Sequence, residues 1–140
     1  MLLTYFGHLD VTPPSVASWL VDHGYRDDKG NTTGATCDGV THVAICEAGA
    51  SWGLGQCQQS DSFDTLDQWL KTGPVIAHVR QRVGGHCKFT QGGHYIVIVE
   101  KEEGDYSISD PNSCEEYRTR GTKEEISGQC SLVGFIRLAP

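Results

Sequence analysis

The hydrophobic period of this 140-residue chain changes at Gly73-Pro74. Helix side chains share a face every three or four residues and strand side chains every second residue, so the period of a segment restricts what it can become. Upstream, apolar residues fall at helical spacing: Val16, Ala17, Leu20 and Val21; Val40, Val43, Ala44 and Ala48; Phe63, Leu66, Trp69 and Leu70. Downstream, short β-branched and aromatic runs predict strands at 75–80, 94–99, 106–109 and 132–138. Helices first and antiparallel strands after make an α+β chain, with the N-terminal helical part packed on the sheet. No internal repeat or linker divides residues 1–140, which are expected to form a single domain.

Local signals set the boundaries. Thr12-Pro13-Pro14 opens the first full helix, because threonine satisfies an orphan N–H and proline suits the first turn; Gly24 closes it. Asp38 is placed to cap a second helix that closes near Gly49, and Asp61 or Ser62 starts a third. Residues 51–60 are poorly patterned, with room for a short strand, and Thr122 to Ile126 suits one helical turn. Met1 to Gly7 is expected to be the end of a buried helix, which points to residues missing upstream. It has neither the basic start nor the long apolar stretch of a signal peptide.

A formal charge of −7 without a Lys/Arg patch excludes nucleic acid as the expected partner, since phosphate binding needs clustered cations. The acidic residues of the last third, Glu100, Glu102, Glu103, Asp105, Glu115, Glu116, Glu124 and Glu125, are expected on a solvated face. No apolar run approaches the roughly 18–20 residues of a membrane span. The six cysteines, Cys37, Cys46, Cys57, Cys87, Cys114 and Cys130, include no Cys-x-x-Cys pair. Bridges, as in an exported parent protein, and free thiols both remain open, and spacing does not choose a pairing. A zinc site from His86, Cys87 and His94 lacks a fourth ligand at a recognised spacing, so no metal or other cofactor is expected.

One hairpin carries chemistry. A turn at Lys101 to Gly104, centred near Glu102, sets His94 directly opposite Asp110. Opposed residues of an antiparallel pair project from one face, with Cβ atoms about 4.5–5.5 Å apart. A carboxylate beside imidazole fixes its tautomer and stabilises its charged form, the orienting role in a catalytic triad. The structural alternative is a turn-capping aspartate next to an unrelated histidine. A one-residue bulge at Gly104 would spoil the pairing.

Gly92-Gly93-His94-Tyr95-Ile96-Val97-Ile98, followed by Ile108-Ser109-Asp110-Pro111, resembles the Gly-His strand and Asp-Pro strand end of the bacteriocin-processing (double-glycine leader) cysteine peptidases and their stand-alone relatives. The order extends backward through Pro74-Val75-Ile76-Ala77-His78-Val79 and the loop with Gly85-His86. The helix from Val11 to Tyr25 and the segment Gly34-Ala35-Thr36 also look like their counterparts. The resemblance implies a papain-like fold and thiol acyl transfer on a peptide or protein substrate. It makes His94 the general base and acid and Asp110 its orienting partner.

The family's nucleophile lies in a Gly-Cys-Gly-Pro stretch at a helix N-terminus, where N–H groups and the helix dipole lower a thiol's pKa. Neither that stretch nor the glutamine that precedes it in the family is present here. The chain is therefore expected to be an N-terminally truncated peptidase, inactive as it stands. Cys37, just before a predicted helix start, is the internal alternative nucleophile. Cys87, in the loop leading to His94, is a weaker one. Two other functions compete: a non-catalytic papain-like module that binds peptides, and a thiol amidase or deamidase. An extracellular or cell-envelope site suits the full-length parent better than the cytoplasm.

Overall fold

The computed structural model describes residues 1–27 and 40–140. The expectations for Gly34-Ala35-Thr36, Cys37 and Asp38 lie outside the described residues. The chain divides into two compact units, residues 1–57 with 138–140, and residues 58–137.

The first unit holds three helices, α1 (Leu2–Tyr5), α2 (Pro13–Asp22) and α3 (His42–Ser51). Thr12 caps α2 as predicted, accepting from the Ser15 N–H, while the Ser15 side chain accepts in return from the Thr12 N–H. Helix α3 is capped by Thr41, whose side chain accepts from the Ala44 N–H. Two expected stripes are rotated. Leu20 and Ala44 are buried, but Val21 and Val43 are exposed. Each of those valines stands one residue, about 100° of helix, away from the buried position. Of α1 only Leu2 is buried and Tyr5 is exposed, which corrects the expectation of a buried helix end. Cys46 on α3 is bridged to Cys57.

Six strands, β1 (Gln56–Ser60), β2 (Val75–Gln81), β3 (Gly93–Glu102), β4 (Asp105–Ser109), β5 (Arg120–Gly121) and β6 (Cys130–Ala139), form one sheet. Their order in it is β1–β6–β2–β3–β4–β5. The β2–β3, β2–β6, β3–β4 and β4–β5 pairs are antiparallel. Helix α4 (Phe63–Trp69) begins at Ser62, whose hydroxyl accepts from the Thr65 N–H. Its Leu66 joins Val75, Val79, Ile96, Ile98, Ile108 and Phe135 in the core of the second unit. Full burial of such apolar side chains contributes roughly 1.5–3 kcal/mol each. The four predicted strands are all present, and β3 and β4 are hydrogen-bonded neighbours.

The core decides which way the chemistry points. Ile96 and Ile98 are buried on β3, as are Tyr106 and Ile108 on β4. Counting back by two from Ile96 reaches His94, and forward by two from Ile108 reaches Asp110. Both therefore project from the face that the core occupies, at the end of the sheet where the core stops.

Candidate active site

His94 Nε2 lies 2.7 Å from Asp110 Oδ1. The His94 side chain keeps 11% of its surface exposed and the Asp110 side chain 1%. Among the described residues Nδ1 of His94 makes no hydrogen bond. Val79 of β2 is the register partner of His94 and is fully buried, so an apolar wall flanks the imidazole. Oδ1 of Asp110 also accepts from the Asn112 N–H at 2.9 Å. Asp110 thus caps its own turn and holds the histidine, and the two readings of this residue are not exclusive.

The pair meets by a different register from the one expected. The turn is centred between Glu103 and Gly104, both at positive φ (51° and 88°), and Glu102 faces Asp105. The register then shifts between Ile98 and Glu100, and Val97 faces Ser109. Asp110 is consequently level with Ile96, and His94 is its diagonal neighbour. Diagonal positions lie about 7–8 Å apart, within reach of long side chains.

Sequence reasoning missed Arg118. Its Nη2 stands 2.7 Å from Asp110 Oδ2, as an ion pair without hydrogen-bond alignment. The same nitrogen donates to the carbonyl of Phe89. The signal was too weak to find: Arg118 lies in a 3-10 turn (Glu116–Arg118) between β4 and β5, with no periodic pattern around it.

A cavity of about 660 Å³, whose lining includes Gln81, His86, Lys88, Phe89 and Tyr117, reaches Arg118, the ion-pair partner of Asp110. Lys88 reaches Glu125 Oε2 at 2.8 Å and the Arg120 carbonyl at 2.6 Å. Burial pushes the Glu125 carboxyl up, but hydrogen bonds from Lys88 and Thr122 outweigh it and hold the group below the usual carboxylate range. The loop that forms this wall is pinned. Gln81 accepts from the Cys87 N–H and donates to the Gly85 carbonyl, and Cys87 is bridged to Cys130. Cys87 is therefore neither a nucleophile nor a zinc ligand. Among the described residues no group of three or more His, Cys, Asp or Glu is placed to hold a metal. Cys114 is exposed and unbridged.

No protein-family profile and no curated protein matches the sequence. Solved structures do match. The peptidase domain of ComA from Streptococcus mutans is similar at a TM-score of 0.55 and 25% identity, over 91% of this chain and 89% of that one. A protein from Bacillus anthracis described as a C39-like peptidase gives a TM-score of 0.65 at 14% identity, over 99% of this chain and 84% of that one. The fold is that of a C39 peptidase domain. A second ComA peptidase domain, from a Streptococcus bi-functional ABC transporter involved in quorum sensing, gives 0.54 at 24% identity, over 89% of this chain and 87% of that one. These neighbours match the family whose motifs surround His94 and Asp110, and the chain is a peptidase-like domain of mixed helix and antiparallel sheet. No helix among the described residues is long and apolar enough to cross a membrane.

Proposed function

We propose that this chain carries the acid–base part of a thiol peptidase, with His94 as general base and acid and Asp110 as the carboxylate that orients it. The 2.7 Å contact between His94 Nε2 and a buried Asp110 oxygen carries the reading. With Nε2–H donating to the carboxylate, the lone pair of the neutral ring sits on Nδ1, the nitrogen that has no hydrogen-bond partner among the described residues. Nδ1 takes the proton of a cysteine thiol, and the ionised Asp110 stabilises the imidazolium that results. The thiolate attacks the carbonyl carbon of a peptide bond, and the Nδ1 proton passes to the departing amine. Water, deprotonated by the same nitrogen, then releases the acyl group from sulfur.

No cysteine of this chain stands in a Gly-Cys-Gly-Pro stretch. Cys46, Cys57, Cys87 and Cys130 are held in disulfides. The nucleophile is accordingly assigned to a segment outside these 140 residues, and residues 1–140 are taken as one domain with it. The substrate class is a peptide or protein, and the negative chain has no nucleic-acid partner in this proposal.

Turnover of a peptide substrate by four proteins tests it: this chain, a chain extended by its upstream coding sequence, and the extended chain with His94→Ala or with the added cysteine changed to alanine. Only the unaltered extended chain is expected to turn over. Turnover by the short chain that depends on Cys37 would reassign the nucleophile. An extended chain inert on every peptide and amide tried would instead make the domain a peptide-binding module.

A further inference from the structure

Asp110 has two oxygens and uses them for different partners. Oδ1 meets His94 and the Asn112 N–H, while Oδ2 faces Arg118 Nη2 at 2.7 Å. The Asp110 side chain is 1% exposed and that of Arg118 is 17% exposed, so water screens this ion pair little. A carboxylate buried to this degree is costly unless an opposite charge is paired with it. His94 cannot be that charge throughout a proton-transfer cycle, because the ring is neutral for part of it. Arginine is protonated at all relevant pH and can be.

Geometry gives the second half of the argument. The last torsion of an aspartate joins an sp³ to an sp² carbon and has a broad, shallow profile. The Asn112 N–H holds Oδ1 from one side, and the Arg118 charge beside Oδ2 fixes the other end of the carboxylate. Arg118 is itself fixed at both ends. Its backbone returns alongside β4, with the Ile108 N–H donating to the Thr119 carbonyl at 2.8 Å and Ser107 facing Arg120 in the ladder. Its guanidinium donates to the Phe89 carbonyl, on the loop that Gln81 and the Cys87–Cys130 bridge anchor.

We propose that Arg118 is a positioning residue: through Oδ2 it locks the Asp110 carboxylate in the orientation that keeps Oδ1 on His94 Nε2, and it supplies the permanent positive charge that lets His94 gain and lose its proton beside an ionised carboxylate. The catalytic meaning of this role rests on the acid–base function proposed for His94. The lock itself does not, and it is testable in the 140-residue chain without any activity.

The test is the ring tautomer of His94, read from two- and three-bond ¹H–¹⁵N correlations at a pH where the imidazole is neutral. The proteins are this chain, Arg118→Gln and Arg118→Lys, each checked for a dispersed amide spectrum. The unaltered chain is expected to show one tautomer, with the proton on Nε2. Arg118→Gln should lose that single signal pattern and show averaging between tautomers. Both observed contacts run through Nη2, so an ammonium at the same place can serve both, and Arg118→Lys should restore the Nε2–H form. If Arg118→Gln does not fold, Arg118→Met, which keeps the packing of the stem, takes its place. A folded charge-free variant with the parent's tautomer pattern would overturn the proposal. An inert extended enzyme would overturn the peptidase reading and leave the tautomer result standing.

Discussion

Asp110 stands level with Ile96 on β3, and His94 is its diagonal neighbour, yet the two side chains meet at 2.7 Å. Parity explains why this works. Near the turn, Lys101 faces Tyr106 and Glu102 faces Asp105; continued unbroken, that register would level Asp110 with Val97 and put it on the face opposite His94. The shift at Val99 moves the pairing by one residue and returns both to the same face. The bulge sits between the turn and the site, and it reconciles the turn's register with the core's.

Removing Val99 should therefore be tolerated. Without the extra residue, Glu100 still faces Ser107 and Ile98 still faces Ile108, so the ladder becomes regular and His94 keeps Asp110. Val99 is 38% exposed, and its loss is expected to cost about 1 kcal/mol or less. Urea unfolding gives the cost, and the His94 ring tautomer reports the pair. A deletion variant that folds with the pair broken would refute the parity argument.

Asp110→Asn should destabilise the chain by about 3 kcal/mol, because it strips a largely buried Arg118 of its counter-charge. The amide oxygen can still accept from His94, so the loss reports mainly on Arg118. In Arg118→Met the same substitution should cost far less, since no buried cation is left behind. Denaturant titrations of the four proteins close this cycle. Equal costs in the two backgrounds would show that the ion pair contributes nothing.

The site was half legible in the sequence, and the missing half has a physical cause. Strand periods placed β2, β3, β4 and β6, and threonine and serine caps placed α2 and α4. Those signals act over a few residues and survive any tertiary arrangement. His94 and Asp110 could be paired because even errors in hairpin register keep side chains on one face. The expected register was off by two, since neither the turn at Glu103-Gly104 nor the bulge at Val99 carries a clear residue signature. Arg118 and the Phe89 carbonyl come together across 29 residues, through a 3-10 turn and a disulfide-anchored loop. No local pattern encodes a contact of that kind. The same holds for the stripes on α2 and α3, where tertiary packing alone decided which apolar residue faces inward.

Glu103→Asn should stabilise the hairpin. Glu103 occupies positive φ, at 51°, where a longer side chain is disfavoured and asparagine is better tolerated. A gain of about 0.5–1 kcal/mol is expected in thermal or urea unfolding. Glu103→Val should move stability the other way, and a gain from valine would contradict the turn assignment.

Replacing Cys87 and Cys130 with serine should cost about 2–4 kcal/mol, in line with the entropy of closing a loop of this length. The two cysteines are 43 residues apart, against 11 for Cys46 and Cys57, so the second bridge should contribute somewhat less. Four of the six cysteines are bridged, which leaves no more than two to react with a thiol reagent in unfolded, unreduced protein. Four or more reactive thiols would refute the pairing.

Acid should weaken the second unit at two identifiable carboxylates. Burial pushes Asp67 up, but hydrogen bonds from Lys101 and Tyr106 outweigh it and hold the group below the ordinary aspartate value. Glu125 is held down in the same way by Lys88 and Thr122. A carboxylate whose folded pKa lies below its unfolded one adds stability at every pH above the unfolded value, about 3.9 for Asp and 4.3 for Glu. That contribution is lost as the pH falls from there through the folded value, where the native state must also take up the proton. Stability should therefore be flat in these two groups above about pH 5 and decline below it. Asp67→Asn and Glu125→Gln should each lower stability at pH 7 and make the acid decline shallower. Lys101, at 42% exposed, is open to screening, so 1 M salt should reduce the Asp67 effect more than the Glu125 effect, whose Lys88 partner is 14% exposed. Urea midpoints measured from pH 2.5 to 7 at low and high salt decide the matter. An acid decline unchanged by either substitution would place the titrating groups elsewhere.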